Sequence, residues 1–299
     1  MKNKLKGGLG LLLATVIWGS TFVAQSVGMD YIGPFTFQAV RCFLAVLVLL
    51  PVIALFDKKN NGQFFRKWAD KHLWFSGIAC GTALFVAANL QQLGILSTSA
   101  GKSAFLTAMY IVIVPFIGLV LKRKPGIMAF VSVFIAVAGL YLLSCVGVTS
   151  MNIGDVYLLG SAFAFAVQIT LVDHFAPKVD NLRLSCIQSL VCAVFSGVLM
   201  LFTEQVHFSA LLDCWLPLCY AGILSMGIAY TLQILGQRHV EPTAAALIMS
   251  LESVFAAISG WLVLHERMTM SETFGCILVF SAVVLSQLPV NMKTHTHGH

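Results

Sequence analysis

The chain has 299 residues, of which 59% are hydrophobic and 10% charged, and it carries a formal net charge of +6. A soluble domain holds roughly a quarter charged residues. The share of surface that folding can bury also saturates with size, so this much apolar surface excludes a water-soluble globule and calls for lipid. In a soluble protein the positive charge would suggest nucleic acid or anionic partners. In a membrane chain its distribution matters more than its sum, and no nucleic-acid partner is expected.

About 20 apolar residues cross a hydrocarbon core ~30 Å thick. Lys2, Lys4 and Lys6 precede an apolar stretch from Leu9 to Val27, an arrangement shared with secretory signals. That stretch is long enough to span and holds Trp18 and Thr21 near its middle, so it is read as an uncleaved first span over 9–28. Further spans are predicted at 35–56, 73–93, 99–121, 126–146, 154–173, 184–203, 214–236, 242–264 and 270–289. Gly33-Pro34, Pro125-Gly126 and Glu241-Pro242 mark boundaries, and most loops are short enough to make successive helices antiparallel neighbours. The eight cysteines lie mostly inside apolar runs with no CxxC pair, as small packing residues do, and no metal site or cofactor is expected.

Lysine and arginine set the orientation. With a cytoplasmic N-terminus, fifteen of the 18 basic residues fall inside, Lys102 and Arg267 fall outside, and Arg41 lies within the second span. A missed or added helix would scramble the later loops, so the bias supports both ten spans and two cytoplasmic termini. The expected location is the cytoplasmic (inner) membrane, multi-pass.

The two halves align at an offset near 142 residues. Gln92-Leu93-Gly94 falls opposite Ile234-Leu235-Gly236 with Gln233 one place before, Ala104-Phe105-Leu106 falls on Ala246-Leu247-Ile248, and Gly118 falls on Gly260. Near the starts of the halves a slightly larger offset pairs Gly8 with Gly154 and Gln38 with Gln188. Five helices per half is an odd number, so the second half enters from the opposite side. Such inverted halves are a common basis of alternating access around a central site. The expected organisation is a first five-helix repeat over 1–150, a second over 151–292 and a histidine-containing tail over 293–299, whose imidazoles at 295, 297 and 299 make at most a weak metal site.

The segment Ser99-Ala100-Gly101-Lys102-Ser103-Ala104-Phe105-Leu106-Thr107, continuing to Val114-Pro115, resembles the fourth-span motif of the EamA family in the drug/metabolite transporter superfamily. So does Ala246-Leu247-Ile248-Met249-Ser250-Leu251-Glu252-Ser253-Val254-Phe255, followed by His265-Glu266-Arg267, and Trp18-Gly19 and Arg41 fit the same pattern. The resemblance implies an all-α membrane protein of ten helices in two inverted five-helix repeats. It implies a central cavity lined mainly by spans 1, 3, 4, 6, 8 and 9, with spans 5 and 10 peripheral, and substrates such as amino acids, other metabolites or drugs, often exported. Many members carry a proline after the glutamate of the ninth span. Ser253 stands there in this chain, so a proline-driven kink has no proline to drive it.

Charge inside a membrane span is costly, roughly 2.5–3.5 kcal/mol on insertion scales, and so points to function. Glu252, near the middle of span 9, is the first candidate: its carboxyl would meet a cationic substrate group or exchange a proton, the other reading being a hydrogen-bonded structural acid. Arg41 would meet a substrate carboxylate, or snorkel to the outer interface, or tie spans 1 and 2 together. Lys102 is read as a solvated helix-end lysine, with recruitment of an anionic group as the alternative. Asn89 and Gln92 share a helix face, and with Gln168 they supply amides to the predicted site. Trp18, Tyr110 and Tyr230 fall deep in their spans, where their rings would stack on a ligand or pack in the core.

The expected function is secondary transport of a small metabolite such as an amino acid, a related zwitterion or an amine, with export implied only by the resemblance and proton coupling as an option. Proton-coupled drug efflux is the alternative and a channel a further one, although no continuous polar stripe or charge ring favours a channel. The absence of a GxxxxGK[ST] loop argues against direct use of ATP, and the lack of HExxH, paired-aspartate and GxSxG motifs argues against an enzyme. The partners expected are the small-molecule substrate and the lipid bilayer.

Overall fold

The computed structural model describes residues 2–59, 67–123, 125–144, 151–263 and 269–287. Arg66, Lys124, Cys145, His265, Glu266, Arg267 and the 293–299 tail lie outside the described residues. Within them the chain forms helices α1 (Lys2–Met29), α2 (Pro34–Lys59) and α3 (Lys71–Ile95). These are followed by α4 (Ala100–Val120), α5 (Ile127–Ser144), α6 (Ile153–Phe175) and α7 (Asn181–Thr203). The last three are α8 (Trp215–Gln237), α9 (Pro242–Val263) and α10 (Met270–Gln287). Among the described residues nine of these are long and apolar enough to cross a membrane, and α5 is apolar but shorter. A short helix over Phe208–Asp213, not anticipated from the sequence, precedes α8.

Helices are the form these apolar runs must take, because lipid offers no partner for a free backbone group. Their ends are capped by side chains the loops supply. Asp70 accepts from the His72 amide, Asp180 from the Arg183 amide, and Asn152 with Asp155 closes a reciprocal capping box. The start of α2 is capped from the other half: Glu204, just past α7, accepts from the Phe35 and Thr36 amides at 2.9 and 2.8 Å. At the far end of the same pair, Asp57 of α2 binds Arg183 of α7. Helices α2 and α7 are therefore fastened at both ends.

The packing has the symmetry of two inverted five-helix repeats. α2 packs on α7 and α5 on α10; α3 on α6 is matched by α8 on α1, and α4 on α6 by α9 on α1. Close glycine approaches fix the register. A methyl group built on Gly154 would lie 2.8 Å from the Gly94 carbonyl oxygen, and one on Gly7 would lie 2.9 Å from that of Gly236. Gly94 and Gly236 keep the offset of 142, but Gly7 rather than Gly8 is the counterpart of Gly154, an offset of 147. Likewise Gly81 meets the Gln188 carbonyl while Gly222 meets that of Arg41. The counterpart of Gln188 is thus Arg41 and not Gln38.

Two helices that the hydropathy pattern renders as continuous are broken. α4 breaks at Met109, whose amide turns back to the Leu106 carbonyl at 3.3 Å; α9 breaks at Ser250–Leu251, where the Leu251 amide turns back to Ile248 at 3.2 Å. These bonds are counterparts under the 142-residue offset. The break in α9 therefore forms without proline at position 253, where the Ser253 hydroxyl instead donates to the Ala104 carbonyl of α4. α8 carries a π-helical stretch over Tyr220–Ala229. Gly222 to Gly236 in α8 spans one residue more than Gly81 to Gly94 in α3, the single insertion that a π-bulge absorbs.

Candidate functional site

Where the two broken helices cross, the protein forms a partly open cavity with ≈ 490 Å³ of empty space. α1 supplies Trp18, Thr21, Phe22 and Gln25, spaced three and four apart on one face. α2 supplies Arg41, α3 Gln91, α4 Thr107 and Tyr110, and α6 Phe165 and Ile169. α8 adds Ser225, Tyr230 and Gln233, and α9 adds Met249 and Glu252. Tyr110 and Glu252 are each the first residue after a break, and they are counterparts in the two repeats. The Tyr110 hydroxyl donates to Glu252 Oε1 at 3.1 Å, so this bond lies on the pseudo-twofold axis.

Of the eight residues the sequence singles out, the cavity gathers Trp18, Arg41, Tyr110, Tyr230 and Glu252. Trp18 and Tyr230 meet edge to face at 5.0 Å between centroids, and the buried Trp18 Nε1 has no hydrogen-bond partner. Arg41 does not snorkel. Only 3% exposed, it donates from Nε to Gln38 Oε1 at 2.7 Å and from Nη1 to Gln25 Oε1 at 2.5 Å, with the Phe37 ring 5.6 Å away. Its cradle is neutral. Among the described residues neither Arg41 nor Glu252 makes an ion pair, although both face the same cavity.

Asn89, Gln92 and Gln168 are not in the cavity wall. Asn89 turns to α7 and donates to Ser196 Oγ at 2.8 Å, and Gln92 Nε2 contacts the Met29 sulfur at 3.5 Å. Gln168 stands one layer behind, accepting from Gln233 at 3.1 Å and donating to Gln188 at 3.4 Å. The amides that reach the cavity are Gln91 and Gln233. The sequence held the signal for them: they are counterparts at the 142-residue offset, a polar position kept in both halves. Thr21 and Gln25 were signalled by their helical spacing from Trp18. Lys102 is not solvated; its Nζ lies 2.6 Å from Asp155 Oδ2, with side-chain exposures of 11% and 1%.

A multi-pass bundle of inverted repeats, broken helices at its centre and a polar cavity between the breaks is the architecture of a membrane transporter. The comparisons agree. The EamA-like transporter family matches residues 5–145 and again 152–288, and the chain belongs to that family. An "Uncharacterized transporter" of Archaeoglobus fulgidus is 31% identical over 96% of this chain and 88% of its own length. The "Uncharacterized transporter YoaV" of Bacillus subtilis is 24% identical over 93% of this chain and 95% of its own. A protein of known crystal structure shares the fold, with a TM-score of 0.79 at 14% identity over 98% of this chain and 99% of that one.

Proposed function

We propose that this transporter moves a small zwitterion, such as an amino acid, or a related amine by alternating access, out of the cell across the cytoplasmic membrane with both termini in the cytoplasm. The observation that carries the reading is that Arg41 and Glu252, ionisable groups of opposite sign, both line one buried cavity and neither has an ion-pair partner among the described residues. Burying a charge without a counter-charge is expensive, and a substrate bearing a carboxylate and an ammonium would relieve both costs at once. Gln25 and Gln38 orient the guanidinium; Tyr110 orients the carboxylate; Trp18 and Tyr230 provide faces for the organic part of the cargo. Protonation of Glu252 in exchange for substrate would couple the cycle to a proton gradient.

The aromatic wall beside Glu252 also supports a second reading, efflux of an amphipathic cation coupled to protons. Purified protein in liposomes decides between them. Saturable counterflow of labelled amino acids that is competed by amines supports the first reading. Counterflow of hydrophobic cations alone supports the second, and no counterflow of either class overturns both.

A further inference from the structure

We propose that one wall of the cavity, made by Trp18 with Ser225, Tyr230 and Gln233 of α8, is a subsite for an uncharged group on the cargo that both donates and accepts a hydrogen bond, a hydroxyl or a carboxamide. The inference rests on the zwitterion or amine reading and adds what the cargo carries beyond its charged ends.

The polar side chains of the other walls are already engaged by the protein. The Thr21 hydroxyl donates to the Ile17 carbonyl at 2.6 Å, Gln25 Oε1 accepts from Arg41, Gln91 Nε2 donates to Thr107 Oγ1 at 3.4 Å, and Tyr110 donates to Glu252. The α8 wall differs. Among the described residues the Ser225 and Tyr230 hydroxyls make no hydrogen bond, although these residues are only 2% and 6% exposed. Trp18 Nε1 is buried without a partner. Gln233 commits its Nε2 to Gln168, which stands behind the wall, and its buried Oε1 has no partner. A buried polar group left unbonded is costly. Single unpartnered carboxamide oxygens also occur away from this cavity, on Asn89, Gln92 and Gln237. Four unpartnered groups together on one cavity wall are a different arrangement, a hydrogen-bonding surface that the protein itself does not satisfy.

The four groups are contiguous. On an α-helix, residues five apart diverge by about 140°. The π-helical turn of α8 changes this: the Tyr230 amide bonds back to the Ser225 carbonyl, five residues earlier, and both side chains line the cavity. Gln233 follows Tyr230 by three on the same face, and the Trp18 ring meets Tyr230 edge to face. The other repeat has no such wall. At the 142-residue offset Tyr230 and Gln233 fall on Ala88 and Gln91 of α3, and before the insertion Ser225 falls on Leu84, so α3 brings only Gln91 to the cavity. The wall also begins beside the helix that carries the guanidinium. A methyl group on Gly222, three residues before Ser225, would stand 3.0 Å from the Arg41 carbonyl oxygen. A cargo held by its carboxylate on Arg41 therefore lies alongside this wall, with Phe22, Phe165 and Met249 lining the apolar remainder of the cavity.

The test compares isosteres that differ only in the hydrogen-bonding group. Purified full-length protein in liposomes exchanges a labelled amino acid or amine, and three pairs of unlabelled compounds compete with it: threonine and valine, asparagine and leucine, 1-amino-2-propanol and isobutylamine. A wall built to hydrogen-bond rejects the analogue that lacks the group, so the polar member of each pair is expected to bind tighter by roughly tenfold or more. Ser225→Ala and Tyr230→Phe remove hydroxyls that make no bond within the protein, so both variants are expected to fold. Each is expected to lower the preference by about threefold or more, and the double variant to bring it near one, through lost affinity for the polar member while the apolar member competes as before. Equal affinities within every pair in the parent, or a preference unchanged in the double variant, overturn the subsite and leave the zwitterion or amine reading intact. Equal losses for both members of a pair assign the two hydroxyls to structure and overturn the subsite as well. No competition by any of these compounds overturns the zwitterion or amine reading itself, and the subsite with it.

Discussion

Glu252 and Tyr110 occupy one structural position in two repeats, and the sequence has given that position an acid in one half and a phenol in the other. The asymmetry is what makes the bond between them possible, since two acids would repel and two phenols would leave no charge for a cation. Glu252→Gln keeps the shape and the acceptor for Tyr110 but removes the charge. Truncating one partner of a buried charge pair costs about 2–5 kcal/mol, so counterflow affinity for amines and zwitterions is expected to fall by roughly thirtyfold or more at unchanged protein level. Retention of pH-gradient-driven transport in that variant would exclude Glu252 as the proton carrier. Arg41→Gln makes a complementary prediction. A neutral amide in the Gln25–Gln38 cradle should spare simple amines and weaken zwitterions by at least roughly tenfold, read as competition against one labelled amine. Equal losses for both classes, or a drop in protein level, would assign Arg41 to structure.

At the scale of the element, the breaks decide what the cavity sees. They free backbone groups where the helices cross, and a freed group inside a membrane persists only where protein or a polar cavity satisfies it. In α9 the turn is held by the Ser253 amide on the Ser250 carbonyl at 3.2 Å, and two residues on the Phe255 amide donates to Leu251 at 2.9 Å. Proline at position 253 removes one bond of an already tightened turn, whereas at position 255 it removes a regular helical bond. Ser253→Pro is therefore expected to melt close to the parent in detergent, and Phe255→Pro to lose about 3 kcal/mol or fail to fold. Equal destabilisation by both would show that the break is an ordinary helical turn. The spans themselves were legible from apolar length because lipid leaves the backbone no other choice. The breaks were not, since Met109 and Leu251 are ordinary helix formers with nothing in their own side chains to mark a break. Asn89 and Gln92 turn to Ser196 and Met29 rather than to the cavity, because periodicity says which residues point together but not at what. The π-insertion in α8 becomes visible only once the glycines of the two repeats are set side by side.

For the whole molecule, the inverted symmetry requires every helix of the first repeat to cross the bilayer, and α5 is the shortest of them. Its 18 residues rise about 27 Å at 1.5 Å each, a little less than the hydrocarbon core. Its partner α10 has the same 18 residues, and Gly139 and Gly275 let the two approach until an added methyl on Gly275 would stand 2.6 Å from the Gly139 carbonyl. A paired, peripheral helix of this length crosses by drawing its flanking polar residues toward the interface, at a cost of fractions of a kcal/mol per ångström. The fifteen-to-two distribution of basic residues says the same from the loops, since it holds only when all ten helices alternate. Ala69, between α2 and α3, and Gln205, between α7 and α8, are both exposed and are separated by five helices, α5 among them. With a cytoplasmic N-terminus, Gln205→Cys is expected to react with an impermeant maleimide on intact cells, and Ala69→Cys only after permeabilisation. Reaction of both on intact cells, or of neither, would mean that one of the five helices fails to cross. Inverted order, with Ala69→Cys reactive from outside, would keep the fold and reverse its orientation in the membrane.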